Sequence, residues 1–162
     1  MTGAPDPRLI LREEELDAAL ELMLLAEAAL WSAADSALEG EPSGVGRSHY
    51  RTLFLLKRRP GLGVRELARL TALSKQGASR TLGELERLEL VEKAPSDQDA
   101  RRRPAALTAK GAALEARISE RLRAQVARAY RTGGLDAVAG ARRILAALAG
   151  PRLAVGRPEP EL

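Results

Sequence analysis

Cysteine is absent from this 162-residue sequence, and histidine occurs only once. The first absence excludes disulfides, thiolate metal sites and thiol redox chemistry, and a single imidazole has no second one with which to form a zinc site. Aromatic residues make up 2% of the chain, so the core must be built mainly from leucine and alanine. The N-terminus lacks a signal-peptide layout, and no apolar run is long enough to span a membrane. We therefore expect a soluble, cytoplasmic protein without metal or cofactor.

Charge is distributed unevenly along the sequence. Residues 1–46 carry 2 basic and 10 acidic side chains, residues 47–110 carry 15 and 7, and residues 111–162 carry 9 and 5. The corresponding net charges are −8, +8 and +4. A basic middle segment indicates a module that faces a polyanion, although a solvated basic face without a partner has the same composition.

Apolar residues recur at helical spacing in the first part of the chain. Over residues 9–39 they lie mostly three or four positions apart without an intervening proline, which predicts one long amphipathic helix. A helix of about 30 residues spans about 45 Å, more than a small domain needs, so we expect it to pack against a second chain. The stretch from Gly40 to Gly46 is predicted to be a loop, and the helical pattern resumes at Arg47 and stops before Pro60.

The last third of the chain is also predicted to be helical. Thr108 is placed to cap a helix in which an apolar residue recurs at every fourth position. Gly133-Gly134 should break this helix, and residues 135–149 should form a last one. The tail, residues 151–162, contains three prolines and is predicted to be disordered.

Residues 64–111 contain the most informative pattern. Their pattern predicts a short helix, a tight turn and a second helix, followed by a strand over residues 90–94, an arginine-rich hairpin tip over residues 96–103 and a return strand. Ser74 is placed to cap the second helix. That helix opens with small or hydrogen-bonding side chains, and its leucines keep to the opposite side. This layout is typical of a helix that enters a DNA groove with a basic finger beside it, although an exposed polar helix face has a similar composition.

Individual side chains of this second helix suit contacts with DNA. Gln76 can donate and accept hydrogen bonds in one plane, which suits the edge of adenine, and Arg80, one turn later on the same face, can pair with guanine. The other polar groups near the helix start suit phosphate oxygens, which fix the register on DNA without reading its sequence. These predicted phosphate contacts are Ser74, Lys75, Ser79 and Thr81.

Two short motifs stand at fixed places in this pattern. Ser74-Lys75-Gln76 opens the second helix with Arg80 one turn on, and Asp99-Ala100-Arg101 is followed by Leu107-Thr108 and Gly111. Together with the order of the elements, they resemble the MarR family of bacterial winged helix–turn–helix transcription regulators over residues 9–149. Two positions depart from the family pattern, because Ser96 stands where an aspartate is frequent and Gly63 where a threonine or serine usually caps the third helix.

The resemblance implies a mainly α fold with a small β-hairpin wing. Residues 1–46 would form an N-terminal dimerisation helix and loop, residues 47–110 a winged helix–turn–helix DNA-binding domain, and residues 111–150 the C-terminal dimerisation helices. It also implies a homodimer whose first, fifth and sixth helices interlock. The side chains expected in that interface are Leu16, Leu20, Leu122, Val126, Leu145 and Leu148.

The resemblance also gives roles to the wing. In the family, an arginine at the wing tip enters the minor groove, where narrow A·T tracts concentrate negative potential. This role falls to Arg102 or Arg103, whereas Arg101 is expected to pair with Asp99 as a scaffold of the wing.

A small-molecule site is implied by the resemblance as well. Members of the family bind small, often phenolic or anionic molecules between the dimer helices and the DNA-binding module. We expect Trp31, His49, Tyr50 and Arg51 to line such a crevice, because they combine polar tips with aromatic or cationic character. The alternatives are a helix cap or surface position for His49 and a position in the dimer core for Trp31.

These observations predict a dimeric, ligand-responsive transcription repressor that binds a pseudo-palindromic operator in double-stranded DNA. An enzyme is disfavoured, because the sequence has no glycine-rich phosphate loop, no cysteine and a single histidine. The serious alternative is a winged-helix adaptor that binds other proteins. The planar base-reading groups Gln76 and Arg80 argue against an adaptor, and a steep salt dependence of DNA binding would distinguish the two functions.

Overall fold

The computed structural model describes residues 9–39, 41, 44–93 and 104–156. This part of the chain is mainly helical with a two-stranded sheet, as predicted. In chain order its elements are α1 (Glu13–Leu38), α2 (Arg47–Arg58), α3 (Val64–Thr71), α4 (Lys75–Arg87), β1 (Val91–Lys93), β2 (Ala105–Leu107), α5 (Ala109–Ala149) and a 3₁₀ helix (Gly150–Ala154). None of the helices in the described ranges is long and apolar enough to cross a membrane.

Local capping decides where three of the helices begin. The Ser74 hydroxyl accepts a hydrogen bond from the Gly77 N–H at 3.0 Å, and the Thr108 hydroxyl accepts one from the Gly111 N–H at 3.1 Å. Both predicted caps are therefore confirmed. At the start of α3 the Gly63 N–H donates to the Glu66 carboxylate at 2.8 Å, so a side chain from within the helix satisfies the backbone where no threonine or serine is present.

The helix–turn–helix unit consists of α3 and α4, and β1 and β2 form the base of the wing beside it. The strands pair antiparallel, with Val91 opposite Leu107 and Lys93 opposite Ala105. The first strand begins at Val91, one residue later than predicted, and residue 94 lies outside the described residues. Gly111 lets the start of α5 pass close to the sheet, since a Cβ there would lie 1.9 Å from the Leu90 carbonyl oxygen.

The hydrophobic core lies where α2 packs against α3, α4 and the first half of α5. Its largest fully buried apolar side chains are Leu53, Leu67, Leu85 and Ile118. Only Ala34 of α1 is fully buried in it, whereas Trp31, Ala37 and Leu38 pack against it from the edge. The core therefore belongs to the helix–turn–helix module, and most of α1 lies outside it.

Of three predictions about where helices begin, break and end, two need correction. The first helix begins at Glu13 rather than residue 9, because the Arg12 N–H is capped by the Glu15 carboxylate. The break at Gly133-Gly134 is confirmed at Gly134, whose φ of 79° and ψ of 174° interrupt α5. The prediction of a disordered tail from residue 151 is wrong for residues 151–156, which form part of the 3₁₀ helix and the turn after it. The rest of the tail lies outside the described residues.

The ordered end of the chain is held by the helix–turn–helix module. Val155 is buried, and the Arg59 guanidinium donates hydrogen bonds to the carbonyl oxygens of Arg152 and Val155. Gly156 lies against Leu62 so closely that a Cβ would come within 2.2 Å of its side chain. The proline-rich composition did not reveal this docking, because it depends on a surface about 90 residues earlier in the chain.

Candidate nucleic-acid interface and ligand cavity

Helix α4 presents a polar face to solvent and an apolar face to the core. Ala78 and Leu85 are buried on the inner side. On the outer side Gln76, Ser79 and Arg80 border one shallow depression. The predicted contacts that the structure leaves exposed at the start of this helix are Ser74, Lys75, Gln76, Ser79 and Arg80.

Thr81 does not share this exposure. It is 7% exposed, and its hydroxyl donates to the Gly77 carbonyl oxygen one turn earlier at 3.0 Å. The prediction that Thr81 offers a free hydroxyl to phosphate is therefore corrected. Gly77 itself lies close to its neighbours, since a Cβ there would lie 3.2 Å from the Ser74 capping oxygen.

The predicted wing contacts, Arg101, Arg102, Arg103 and the scaffold residue Asp99, lie outside the described residues. The base of the wing is described, and it lies beside α4. Lys93 at the end of β1 and Pro104 before β2 border the same small cavity as Ser79 and Gly83. The chain therefore leaves and re-enters the sheet next to the polar face of α4.

His49 bridges α2 and α4. Its Nδ1 accepts a hydrogen bond from the Gly46 N–H at 3.1 Å, so the ring proton is on Nε2, which donates to the Glu84 carboxylate at 2.9 Å. The prediction that His49 lines a ligand crevice is corrected, because the ring caps α2 and faces α4. The capping alternative was right, but no sequence pattern indicated the contact with Glu84, which lies 35 positions later.

The crevice expected from the other three residues is present as a cavity of about 530 Å³ between α1, α2 and α5. Trp31, Tyr50 and Arg51 line it, as predicted. The full lining is Leu30, Trp31, Tyr50, Arg51, Phe54, Leu55, Leu70, Ser119, Leu122, Arg123, Val126, Ala127 and Tyr130. The wall is mostly apolar, and its two cationic groups are Arg51 and Arg123.

Aromatic and cationic groups are stacked at one end of this cavity. The rings of Trp31 and Tyr50 meet edge to face, with centroids 6.5 Å apart, and the Arg51 guanidinium lies 5.7 Å from the Trp31 ring centroid. Arg47 covers the same ring at 5.6 Å and forms two hydrogen bonds to Asp35 at 3.0 and 2.5 Å. These hydrogen bonds lower the pKa of Asp35 below its usual value.

A buried polar network lies beneath the cavity. The Tyr50 hydroxyl and the Ser119 hydroxyl are 3.0 Å apart, Ser119 donates to one oxygen of the Glu115 carboxylate, and Lys57 donates to the other. Burial raises the pKa of Tyr50, and the negative charge of Glu115 adds to this effect, while the Ser119 hydrogen bond and Arg123 oppose it. Glu115 was not predicted as part of a site, because its charged partner Lys57 lies on α2, 58 positions earlier in the chain.

Arg123 and Tyr130 were also missed as cavity residues. Leu122 and Val126, which were predicted to lie in the dimer interface, line the cavity with them. The repeat of apolar residues along α5 was the available signal. It indicates which face of α5 is apolar but not whether that face meets a second chain or a cavity.

Comparison with known proteins identifies the family. Residues 43–102 match the sequence profile of the MarR family. The HTH-type transcriptional regulator PetP of Rhodobacter capsulatus is 36% identical over 154 residues, which cover 94% of this chain and 92% of that relative. The chain belongs to the MarR family. It is a MarR-family transcription regulator with a winged helix–turn–helix fold.

Solved MarR-family structures have the same architecture. Protein RV2887 of Mycobacterium tuberculosis, in complex with salicylic acid, is 28% identical with a TM-score of 0.59, and the match covers 84% of this chain and 95% of that one. CouR from Rhodococcus jostii RHA1, bound to p-coumaroyl-CoA, is 26% identical with a TM-score of 0.65 and coverages of 80% and 90%.

Helix α1 and the last part of α5 expose many large apolar side chains in this MarR-family protein. Leu16 and Leu20 on α1, and Leu145 and Leu148 in the last part of α5, are between 46% and 59% exposed. Leu22, Leu24 and Leu25 of α1 are between 60% and 68% exposed. The exposed apolar side chains of α1 are Leu16, Leu20, Leu22, Met23, Leu24 and Leu25.

Proposed function

We propose that this regulator binds a pseudo-palindromic operator in double-stranded DNA as a homodimer, represses transcription there, and releases the operator when an aromatic anion occupies the cavity. The observation that carries the proposal is the exposed polar face of α4, which presents Gln76 and Arg80 over a buried apolar back.

Base reading by α4 is supported by the side chains it leaves available. Arg80 forms no ion pair with any carboxylate in the described part of the chain, so its guanidinium can form two hydrogen bonds with guanine. Gln76 lies one turn earlier on the same depression, where it can read adenine. Ser74, Lys75 and Ser79 flank these two residues and suit phosphate oxygens. One of the wing arginines, Arg102 or Arg103, would add a minor-groove contact.

A homodimer is supported by the apolar surface of α1 and the last part of α5. Monomeric proteins rarely expose contiguous apolar patches of this kind. A second copy of the chain would cover Leu16, Leu20, Leu145 and Leu148. We therefore expect Leu20→Asp to shift the protein to monomers in light scattering, whereas Leu53→Ala in the core should lower stability without changing the oligomeric state.

The cavity suits a small aromatic molecule that carries a negative charge. Its apolar wall accommodates a ring, the Trp31 and Tyr50 rings can pack against that ring, and Arg51 and Arg123 can pair with a carboxylate. The ligands in the structures of RV2887 and CouR, salicylic acid and p-coumaroyl-CoA, combine an aromatic ring with negative charge. A ligand inserted between α2 and α5 would change how the module that carries α4 is held.

The decisive experiment for DNA binding is selection from a random duplex pool, followed by sequencing of the retained DNA. We expect an enriched pseudo-palindrome whose half-sites are about 34 Å apart. Affinity for it should fall roughly 10³-fold or more between 50 and 200 mM salt, if about 6–10 phosphates are contacted. Retention without a motif would identify a non-specific binder, and no retention at low salt would favour the protein-binding adaptor.

A matched pair of variants tests whether Arg80 reads a base. Arg80→Ala should cost about 1–3 kcal/mol of operator binding and relax selection at one base position per half-site. Arg121→Ala removes the same charge from the exposed surface of α5 and should do neither. If both variants weakened binding equally on every sequence, Arg80 would contribute only charge.

Ligand binding can be followed with an intrinsic probe, because Trp31 is the single tryptophan of the chain and lines the cavity. Salicylate or benzoate should change its fluorescence, and benzamide, which lacks the charge, should bind more weakly. Arg123→Ala should reduce the preference for the anion. Because the coupling is reciprocal, saturating operator DNA must weaken salicylate binding by the factor by which salicylate weakens operator binding. Equal salicylate affinity with and without operator would refute the regulatory part of the proposal.

A further inference from the structure

We propose that His49 is a positioning residue for DNA recognition, which holds the Glu84 carboxylate away from Arg80 and so keeps the Arg80 guanidinium available for a base. The inference deepens the proposed function and rests on it. It starts from the position of Glu84 on α4, one turn after Arg80.

Residues four apart on a helix face the same side, and opposite charges at this spacing attract each other. Arg80 and Glu84 also border the same open hollow beside the start of α2, where Gly46 and His49 lie. Glu84 is therefore the natural intramolecular partner for the Arg80 guanidinium. A base-reading arginine that pairs with a neighbouring carboxylate must first lose that partner before it can bind guanine.

In the structure Glu84 has a different partner. Its carboxylate accepts the Nε2–H of His49 at 2.9 Å, and it forms no ion pair with Arg80. The His49 side chain is 10% exposed, compared with 35% for Glu84, so the contact is partly shielded from water. A hydrogen bond to a carboxylate is stronger where it is partly shielded than in water, and this favours the contact with His49 over an exposed pair between Glu84 and Arg80.

The other ring nitrogen fixes which proton His49 can donate. Nδ1 accepts the Gly46 N–H at the start of α2, so Nδ1 carries no proton and Nε2 must be the donor toward Glu84. The cap thus selects the tautomer that can hold Glu84. His49 connects the end of the α1–α2 loop, the first turn of α2 and the DNA-facing helix through one side chain.

Two substitutions separate the positioning role from the capping role. His49→Asn places an oxygen near the position of Nδ1, so it keeps the cap but cannot reach Glu84. His49→Gln places an amide nitrogen near the position of Nε2, so it keeps a donor toward Glu84 but loses the cap. If His49 only capped α2, the asparagine variant would bind DNA normally and the glutamine variant would be impaired.

The experiment measures the affinity of each variant for the selected operator and for an operator changed at the base read by Arg80. An exposed pair at this spacing is worth about two-fold in an equilibrium constant, so two half-sites give about four-fold. We therefore expect His49→Asn to bind the operator about four-fold more weakly, with reduced discrimination at that base. His49→Gln should stay within about two-fold of the wild type.

A double variant tests the cause. In His49→Asn/Glu84→Gln the freed side chain has no charge with which to attract Arg80, so affinity and discrimination should return. Failure of this rescue, or normal discrimination in His49→Asn, would overturn the inference even if the wild type selects an operator. A wild type that selects no operator would instead overturn the proposed function, and the inference with it.

A measurement on the wild-type protein tests the contact between His49 and Glu84 without depending on whether the variants fold. Because the chain contains one histidine, its imidazole nitrogen signals in an NMR spectrum are unambiguous. We expect the Nε2–H tautomer with a proton protected from exchange. A ring protonated only on Nδ1, or a rapidly exchanging Nε2 proton, would overturn the contact on which the inference depends.

Discussion

Replacing Lys57 by methionine tests the buried network that joins α2 to α5. The Glu115 carboxylate is 2% exposed, and its two oxygens accept hydrogen bonds from Lys57 and Ser119. The substitution Lys57→Met removes the charged donor and keeps an unbranched side chain with good helix propensity. What changes is therefore the interaction with Glu115, which is left as a buried negative charge with one hydrogen-bond donor.

The size of the effect follows from the exposure of the two partners. Removing one partner of a fully buried ion pair typically costs about 3–5 kcal/mol, and a hydrogen bond to a charged group is worth about 1.5–3 kcal/mol. The Lys57 side chain is 45% exposed, so water can reach its position and replace part of the interaction. We therefore expect the free energy of unfolding to fall by about 2 kcal/mol.

The assay is urea unfolding of both proteins at one fixed concentration, because the stability of the proposed dimer would depend on concentration. Lys75→Met is the control, since Lys75 is exposed at the start of α4 and should change stability by less than about 0.5 kcal/mol. In a double-mutant cycle, Lys57→Met in a Glu115→Gln background should cost much less than in the wild type. A loss below about 0.5 kcal/mol in the wild-type background, or additive effects, would refute the argument.

The remaining predictions concern two glycines and one tyrosine. Gly111→Ala should lower the free energy of unfolding in urea by more than about 2 kcal/mol, because its Cβ would collide with the Leu90 backbone. Gly83 has open space around it, so Gly83→Ala should stabilise α4 by up to about 1 kcal/mol. Equal effects would contradict this. Burial raises the pKa of Tyr50 above its usual 10.0, so its contribution to stability is complete below pH 10 and is lost as pH rises through the raised value. Urea unfolding measured from pH 8 to 11 should show this loss of stability in the wild type but not in Tyr50→Phe.

Features that depend on residues a few positions apart were predictable from the sequence. Ser74 and Thr108 start their helices because each hydroxyl accepts a hydrogen bond from an N–H three residues later. The break at Gly134 follows from the freedom of glycine to adopt a positive φ. The polar face of α4 was visible for the same reason, since Gln76 and Arg80 lie one turn apart.

The family motif also indicated positions whose physical reason only the structure supplies. Gly111 belongs to the motif in the sequence, and in the fold it is the point at which α5 passes against the Leu90 carbonyl. Thr81 shows the opposite case. The sequence places it beside Arg80 and suggests a shared role, but the packing of α4 against the core turns it inward, where its hydroxyl is satisfied by the Gly77 carbonyl.

The sequence by itself determined the α-helices, the caps at Ser74 and Thr108, the break at Gly134, and the family to which the chain belongs. Only the tertiary structure decided the partners of the buried polar groups. His49 and Glu84 are 35 positions apart, and Lys57 and Glu115 are 58 apart. Capping and periodicity act within a helical turn, so they are visible in a short window of sequence. A long-range pair depends on which two surfaces meet when the helices pack, and no local pattern specifies that meeting.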